Sequence, residues 1–274
     1  LLKNNVDYLI SQGEGTTFGE LSKSTLKELK FKLPPLEEQK EIAEILSSLD
    51  DKIDLLHRQN KTLEEMAQTL FRQWFIEEAQ DHWDEGNLED EFKINMGQSP
   101  PGESYNEICN GVVFFQGSAE FSFRFPTQRL YTSEPRKTAE KFDTLISVRA
   151  PVGEINMVID FCCIGRGLAS IVNKTQPNRK SYTYHKMKYL SKEFNIYQDS
   201  GTVFGSLTRN NFNFIKTVIP DEKAIANFEE MASKFDYKIY MNSLEINLLN
   251  KFKEKSLNQL INIGLTRDFR KEPY

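Results

Sequence analysis

A chain of 274 residues with 39% hydrophobic content holds enough apolar material for one large domain or two moderate ones. No apolar run approaches a membrane span and Leu1-Leu2-Lys3-Asn4-Asn5 lacks a signal-peptide core, which reads as cytoplasmic. The net charge of −5 argues against indiscriminate nucleic-acid binding, but it is unevenly spread: residues 174–216 carry eight Lys and Arg against Glu193 and Asp199 alone.

Residues 1–33 are too short for a domain and read as the tail of one. From Pro34 to about residue 80 the pattern predicts one long helix. Leu46, Leu49, Ile53, Leu56, Asn60, Leu63, Ala67, Leu70 and Trp74 step by three and four, a heptad seam. Pro34 and Pro35 fix its start, and Glu37, Glu38 and Glu41 fall in the first turns, where the helix dipole favours negative charge. Such a helix is a rod of roughly 60 Å, and its apolar stripe needs a partner.

Residues 88–220 have a different texture. Short β-rich runs at 112–115, 144–148, 155–159 and 168–172 are punctuated by Gly and Pro, and the stretches 184–194 and 207–212 look helical, which predicts a mixed α/β body. An internal repeat supplies the missing helix. An offset of 186 lays Phe18-Gly19-x-Leu21 on Phe204-Gly205-x-Leu207, Leu33-Pro34 on Ile219-Pro220, and Asp50-x-Lys52-Ile53 on Asp236-x-Lys238-Ile239. A second long helix is therefore expected over 221–265, ending near Gly264, with 266–274 as a tail. Its seam residues are Phe235, Ile239, Asn242, Ile246 and Leu249. Asn60 and Asn242 occupy core-type positions, where they either fix register or face outward at a stutter.

Enzyme signatures are sparse. Ser99-Pro100-Pro101 is followed by Gly102 rather than the aromatic residue of an amino-methyltransferase motif, and reads as a turn. Gly165-Arg166-Gly167 is too short for a dinucleotide fingerprint, and no phosphate-binding G-x-x-x-x-G-K-[ST] occurs. Of the histidines only His185 lies in the body, so no metal cluster or catalytic triad assembles. Cys109, Cys162 and Cys163 lack zinc-site spacing and read as buried core thiols. The expected sites hold no catalytic residue, no metal and no cofactor. What the body offers is donors for nucleic acid: Arg124, Arg129, Arg136 and Lys137; then Lys174, Thr175, Arg179, Lys180, Lys186 and Lys188; then Arg209 and Asn210. Lys and Thr suit phosphate oxygens, while Arg and Asn can also read base edges. Arg149 and Arg166, flanked by apolar residues and Gly, are open between a structural role and DNA contact.

The Leu33-Pro34-Pro35-Leu36-Glu37-Glu38-Gln39 helix entry, the Leu70-Phe71-Arg72-Gln73-Trp74-Phe75 helix end, and Ile146-Ser147-Val148-Arg149-Ala150-Pro151-Val152-Gly153 with Gly165-Arg166-Gly167 carry a resemblance. Together they resemble the specificity subunit of type I restriction-modification systems. The resemblance implies a mixed α/β target-recognition domain at 88–220, with helices 34–80 and 221–265 packed as an antiparallel coiled coil. It implies a non-catalytic subunit that reads one half of a bipartite site on double-stranded DNA. The implied partners are methyltransferase subunits, docked on the helices, and the restriction motor-nuclease subunit. A full subunit of that family has two recognition domains, whereas one is complete here, so the chain is either a fragment or a half-subunit that pairs as a homodimer. The alternative from a different class is a coiled-coil adaptor that does not touch DNA.

Overall fold

The computed structural model describes residues 6–11, 13, 20–28, 35–198 and 205–266, with side chains described as far as residue 258. Much of 1–33 and all of 199–204 and 267–274, including Phe18-Gly19, Leu33-Pro34 and Phe204 of the repeat, lie outside the described residues. The chain divides into two compact units, Leu1–Gln59 with Met241–Tyr274, and Asn60–Tyr240.

In chain order, α1 (Val6–Ser11) and α2 (Lys23–Glu28) precede the long helix α3 (Leu36–Arg72), which runs into a π-turn, Gln73–Glu77. Next come β1 (Asp84–Asn87), α4 (Leu88–Glu91), β2 (Phe92–Met96), β3 (Tyr105–Asn106), β4 (Val112–Phe115), β5 (Tyr131–Thr132) and β6 (Thr138–Ala139). The body continues through β7 (Thr144–Ser147), β8 (Ile155–Met157), β9 (Cys162–Ile164), β10 (Leu168–Asn173), α5 (Lys180–Tyr189), α6 (Ser191–Asn195), α7 (Arg209–Phe212) and β11 (Lys216–Ile219). The second long helix, α8 (Glu222–Thr266), passes through Gly264 rather than stopping there. Asp221 caps it: the Ala224 N–H donates to Asp221 Oδ1 at 2.7 Å.

The repeat extends to structure. Offset by 186, the first residues of α1, α2 and α3 fall at 192, 209 and 222, within one residue of the starts of α6, α7 and α8.

In the first unit, Ile53 and Leu56 of α3 cluster with Ile246 and Leu249 of α8. Lys52 pairs with Glu245 at 3.2 Å, Lys253 with Asp50, and Asn242 Nδ2 donates to Gln59 Oε1 at 3.4 Å. One residue number rises as its partner falls, so the helices are antiparallel. In the second unit Phe71, Phe75, Tyr182 and Phe228 form an aromatic knot with ring centroids 4.9–6.4 Å apart. Each such pair adds about 0.5–1.5 kcal/mol beyond its buried area.

The seam residues are buried or half-buried, and two acids are buried beside them. Leu46, Leu49, Leu63, Leu70 and Leu249 are half-buried, whereas Ile53, Leu56, Asn60, Ile239, Asn242 and Ile246 are buried. Phe235 is half-buried as well, and its neighbour Asp236 is 8% exposed. Glu64, next to the half-buried Leu63, is 7% exposed. Two acids at core positions need a counter-charge from elsewhere.

The body supplies a four-stranded antiparallel sheet, β2-β10-β7-β8, beside a five-stranded mixed sheet, β3-β5-β4-β9-β6, in which β4 and β9 are parallel. Period-two alternation splits the core. Ile146 and Ala169 face the main cluster with Phe92, Ile94 and Met157, while Leu145 and Leu168 face a smaller one with Phe115, Val158 and Ile164. Covered on both faces, β7 is buried at all four of its positions, Thr144-Leu145-Ile146-Ser147. Helix α5 lies over the sheet, and Glu229 of α8 accepts the Ser181 and Tyr182 N–H groups at its N-terminus. Strand β1 pairs with β11, Asp84 opposite Ile219, before the expected start of the body at residue 88.

Candidate nucleic-acid interface

Half of the basic residues singled out from the sequence are spent on the fold. Arg124 is the plainest correction: it is 1% exposed and cannot reach DNA. Its Nη1 donates to Asp236 Oδ1 at 2.6 Å, its Nη2 meets Glu64 Oε2, and its guanidinium carbon lies 3.9 Å from the centre of the Tyr184 ring. Burial would raise the Asp236 carboxyl, but Arg124 and His185 outweigh it and hold that group well below the ordinary aspartate range. Lys186, 4% exposed, is corrected for the same reason: its Nζ is held by Glu91, by Tyr182 Oη at 3.0 Å and by the Val218 carbonyl at 2.7 Å. Burial pushes that ammonium below the usual lysine range, partly offset by Glu91.

The rest of the 174–188 cluster is largely engaged as well. Arg179 Nη2 donates to Glu222 at 2.6 Å, Lys180 to Asp143, and Lys174 to the Glu89 carbonyl. Thr175 is exposed but bonded to Asn173, and Lys188 is half-buried, 6.0 Å from the Tyr184 ring centre. Elsewhere Arg129 pairs with Glu107 and Glu120, Arg136 with Glu134 and Arg209 with Glu89, all as exposed cations in loose pairs of 3.2–3.8 Å. Lys137 and Asn210 are exposed. Pairs this exposed are worth little and exchange readily for phosphate oxygens.

A different group of residues converges on one loop cluster. The segments after β2 (97–101), after β4 (116–117) and after β7 (148–153), together with the β9–β10 turn (165–167), are bonded to one another. Gly97 N donates to the Leu168 carbonyl at 2.9 Å, Gln98 N to Ile164 at 3.0 Å, Gly165 N to Phe115 at 2.8 Å and Val148 N to Gly167 at 2.9 Å. Glycine is required here by contact. A methyl on Gly97 would sit 2.1 Å from the Gly165 carbonyl oxygen, and one on Gly167 would sit 2.7 Å from that of Gln116. On this base Arg149, Arg166, Gln98 and Gln116 are all exposed, and neither arginine has an ion pair among the described residues. Arg149 also forms a β-bridge with Ser206. Guanidinium and amide groups with free donors, held on a rigid loop base, suit bidentate contact with base edges or phosphates.

Sequence reasoning left Arg149 and Arg166 open and missed Gln98 and Gln116. Glycines closely spaced at strand ends were the available signal. The cysteine reading needs one correction: Cys162 and Cys163 are buried, and burial raises both thiols, but Cys109 is exposed on a loop with φ of 61°. Among the described residues no group of three or more His, Cys, Asp or Glu is arranged to hold a metal ion, and no helix is long and apolar enough to cross a membrane.

Comparison with known proteins gives one direction. Residues 1–65 match the family described as type I restriction modification DNA specificity domain. The chain is 37% identical over 260 residues to a Methanocaldococcus jannaschii protein described as the type I restriction enzyme MjaX specificity subunit, covering 88% of this chain and 60% of that protein. It is similar to a solved structure of the HsdS subunit from Thermoanaerobacter tengcongensis, with 26% identity and a TM-score of 0.50, covering 94% of this chain and 66% of that one. A structure of the type I restriction-modification S subunit from M. genitalium shares the fold at a TM-score of 0.63 and 20% identity, over 94% of this chain and 70% of that one. The chain thus spans about 60% of the length of the first of these relatives.

Proposed function

Because the chain is related to the specificity subunits of type I restriction enzymes, we propose that it is a non-catalytic DNA-specificity subunit whose body reads one half of a bipartite site on duplex DNA. The observation that carries this reading is the loop cluster with Arg149, Arg166, Gln98 and Gln116 exposed on it. Arg129, Arg136, Lys137 and Arg209 are the exposed cations available to phosphates. Arg124 and Lys186 are excluded by burial.

The proposed partners are methyltransferase subunits, docked on the long helices, and the restriction motor-nuclease subunit. Exposed apolar residues along α8, namely Met241, Leu244, Leu248 and Phe252, support docking on that helix. The agreement of α1 and α2 with α6 and α7 under the 186-residue offset supports reading 1–33 as the tail of a further recognition domain. A second half-site needs a second such domain, and a homodimer of this chain is one source.

The test is to combine the purified chain with a methyltransferase subunit and map the adenines or cytosines that become methylated. A bipartite motif is expected, and Arg166→Ala should relax one half of it, with a loss of about 1–3 kcal/mol at the position read. Methylation independent of sequence, or failure of the two proteins to associate, refutes the proposal.

A further inference from the structure

Arg124 does more than neutralise two acids. It belongs to the loop 121–127, which is fixed to β8 by Met157 N donating to the Arg124 carbonyl at 2.9 Å and by Asn156 Nδ2 donating to the Ser122 carbonyl at 2.8 Å. Its side chain reaches inward to one carboxylate from each long helix, Glu64 of α3 and Asp236 of α8, under the Tyr184 ring. Tyr184 Oη donates in turn to Glu64 Oε1 at 3.3 Å. The preceding residue, Phe123, is 47% exposed.

Phe121, Ser122 and Phe123 line an open groove of about 510 Å³. Pro151, Val152, Gly153 and Glu154, in the loop that carries Arg149, line it too, as does Lys188. The groove therefore adjoins the loop cluster described above, and its lining joins aromatic faces to a cation and to polar groups.

A buried ion triad is a weak stabiliser, because desolvation of three charges offsets most of their attraction. It is a strong geometric constraint, because the planar guanidinium fork accepts carboxylates in few positions. We infer that Arg124 is a positioning residue for target recognition: by clamping its loop to both long helices it sets Phe123 against the Arg149 loop, where the groove receives the edge of the DNA. This rests on the DNA-reading function proposed above. Phe123 then supplies an apolar contact with base edges, of the kind that a thymine methyl offers, and Lys188 a phosphate contact.

The experiment uses the full chain with its methyltransferase partner and a randomised duplex library, from which bound DNA is selected and sequenced. Four proteins are compared: the wild type, Phe123→Ala, Arg124→Lys, and the triple variant Arg124→Met, Glu64→Gln, Asp236→Asn, which removes every charge of the triad and leaves none unpaired. The triple variant is expected to keep its circular dichroism spectrum, its unfolding midpoint and its affinity for unselected duplex. It should lose about tenfold or more in discrimination between selected and scrambled sites. Phe123→Ala should lose the same discrimination with the clamp intact, and Arg124→Lys should retain an intermediate share. A triple variant that discriminates like the wild type, or a Phe123→Ala protein that does so whatever the fate of the triple variant, overturns the inference while leaving the DNA-reading function in place. A wild type that selects no motif overturns both.

Discussion

Gly97→Ala tests whether the loop cluster is as closely fitted as its contacts imply. The added methyl would lie 2.1 Å from the Gly165 carbonyl oxygen and 2.8 Å from both Gly165 C and the Leu168 carbonyl oxygen. Unstrained contacts between non-bonded atoms lie at about 3.5–4.0 Å, so the end of β2 and the β9–β10 turn must part by more than about 1 Å. That movement breaks or lengthens two hydrogen bonds, Gly97 N to Leu168 O and Gln98 N to Ile164 O. At about 0.5–1.5 kcal/mol each, with about 1–3 kcal/mol for overpacking, the cost is about 2–6 kcal/mol. Trp74 and Trp83 pack against the main core, so urea unfolding followed by tryptophan fluorescence reports on this unit. Gly102→Ala is the control, because a methyl there meets nothing within 4 Å and should shift stability by less than about 0.5 kcal/mol. Equal midpoints for the two variants would refute the packing argument. Equal DNA discrimination, with Gly97→Ala destabilised, would show that Arg166 does not depend on this base.

Three further outcomes follow from the burial pattern. The Asp236 carboxyl is held below its ordinary value of 3.8, so its ionised form contributes stability that is fully present above about pH 4 and is lost as pH falls through the depressed folded value. The stability gap between the wild type and Asp236→Asn, followed by urea titration, should therefore close below about pH 4, and a gap that does not change with pH contradicts the ion pairing. Asn242 is fully buried and its amide reaches Gln59 at 3.4 Å, so Asn242→Leu should raise the melting temperature while admitting other helix registers or oligomers, visible by light scattering. Cys109 should react with an aromatic disulfide reagent in the native protein, and Cys162 and Cys163 only after unfolding, so a native count of one thiol per chain checks the assignment.

The long helices were legible because they rest on simple pattern rules. Heptad spacing marks the seam, prolines mark the entry, and the 186-residue offset carries one helix onto the other. Four strands, β4, β7, β8 and β10, were visible as short β-rich runs. The site was far less legible. An arginine in a Phe-rich loop looks like a DNA contact until the fold brings Glu64, 60 residues before it, and Asp236, 112 residues after it, to its guanidinium. The same long-range pairing explains Asp236: heptad reading gives no reason to bury an acid, and only the buried arginine supplies one. Lysines at 174–188 were counted as a surface patch because sequence cannot show that Glu89, Glu91, Asp143 and Glu222 answer them. Gln98 and Gln116 were missed because loop residues have no period.

The β1–β11 ladder places the entry and exit of the body side by side, Asp84 against Ile219, with Trp83 Nε1 donating to Asp221 Oδ2 at 3.3 Å next to it. Everything between these strands leaves and rejoins the helical frame through one short pair of backbone segments. Genetic exchange at two points in the coding sequence, just before β1 and just after β11, would therefore replace the whole body as one cassette. The cassette must still present a cation to Glu64 and Asp236, which makes the clamp a compatibility rule for such exchanges.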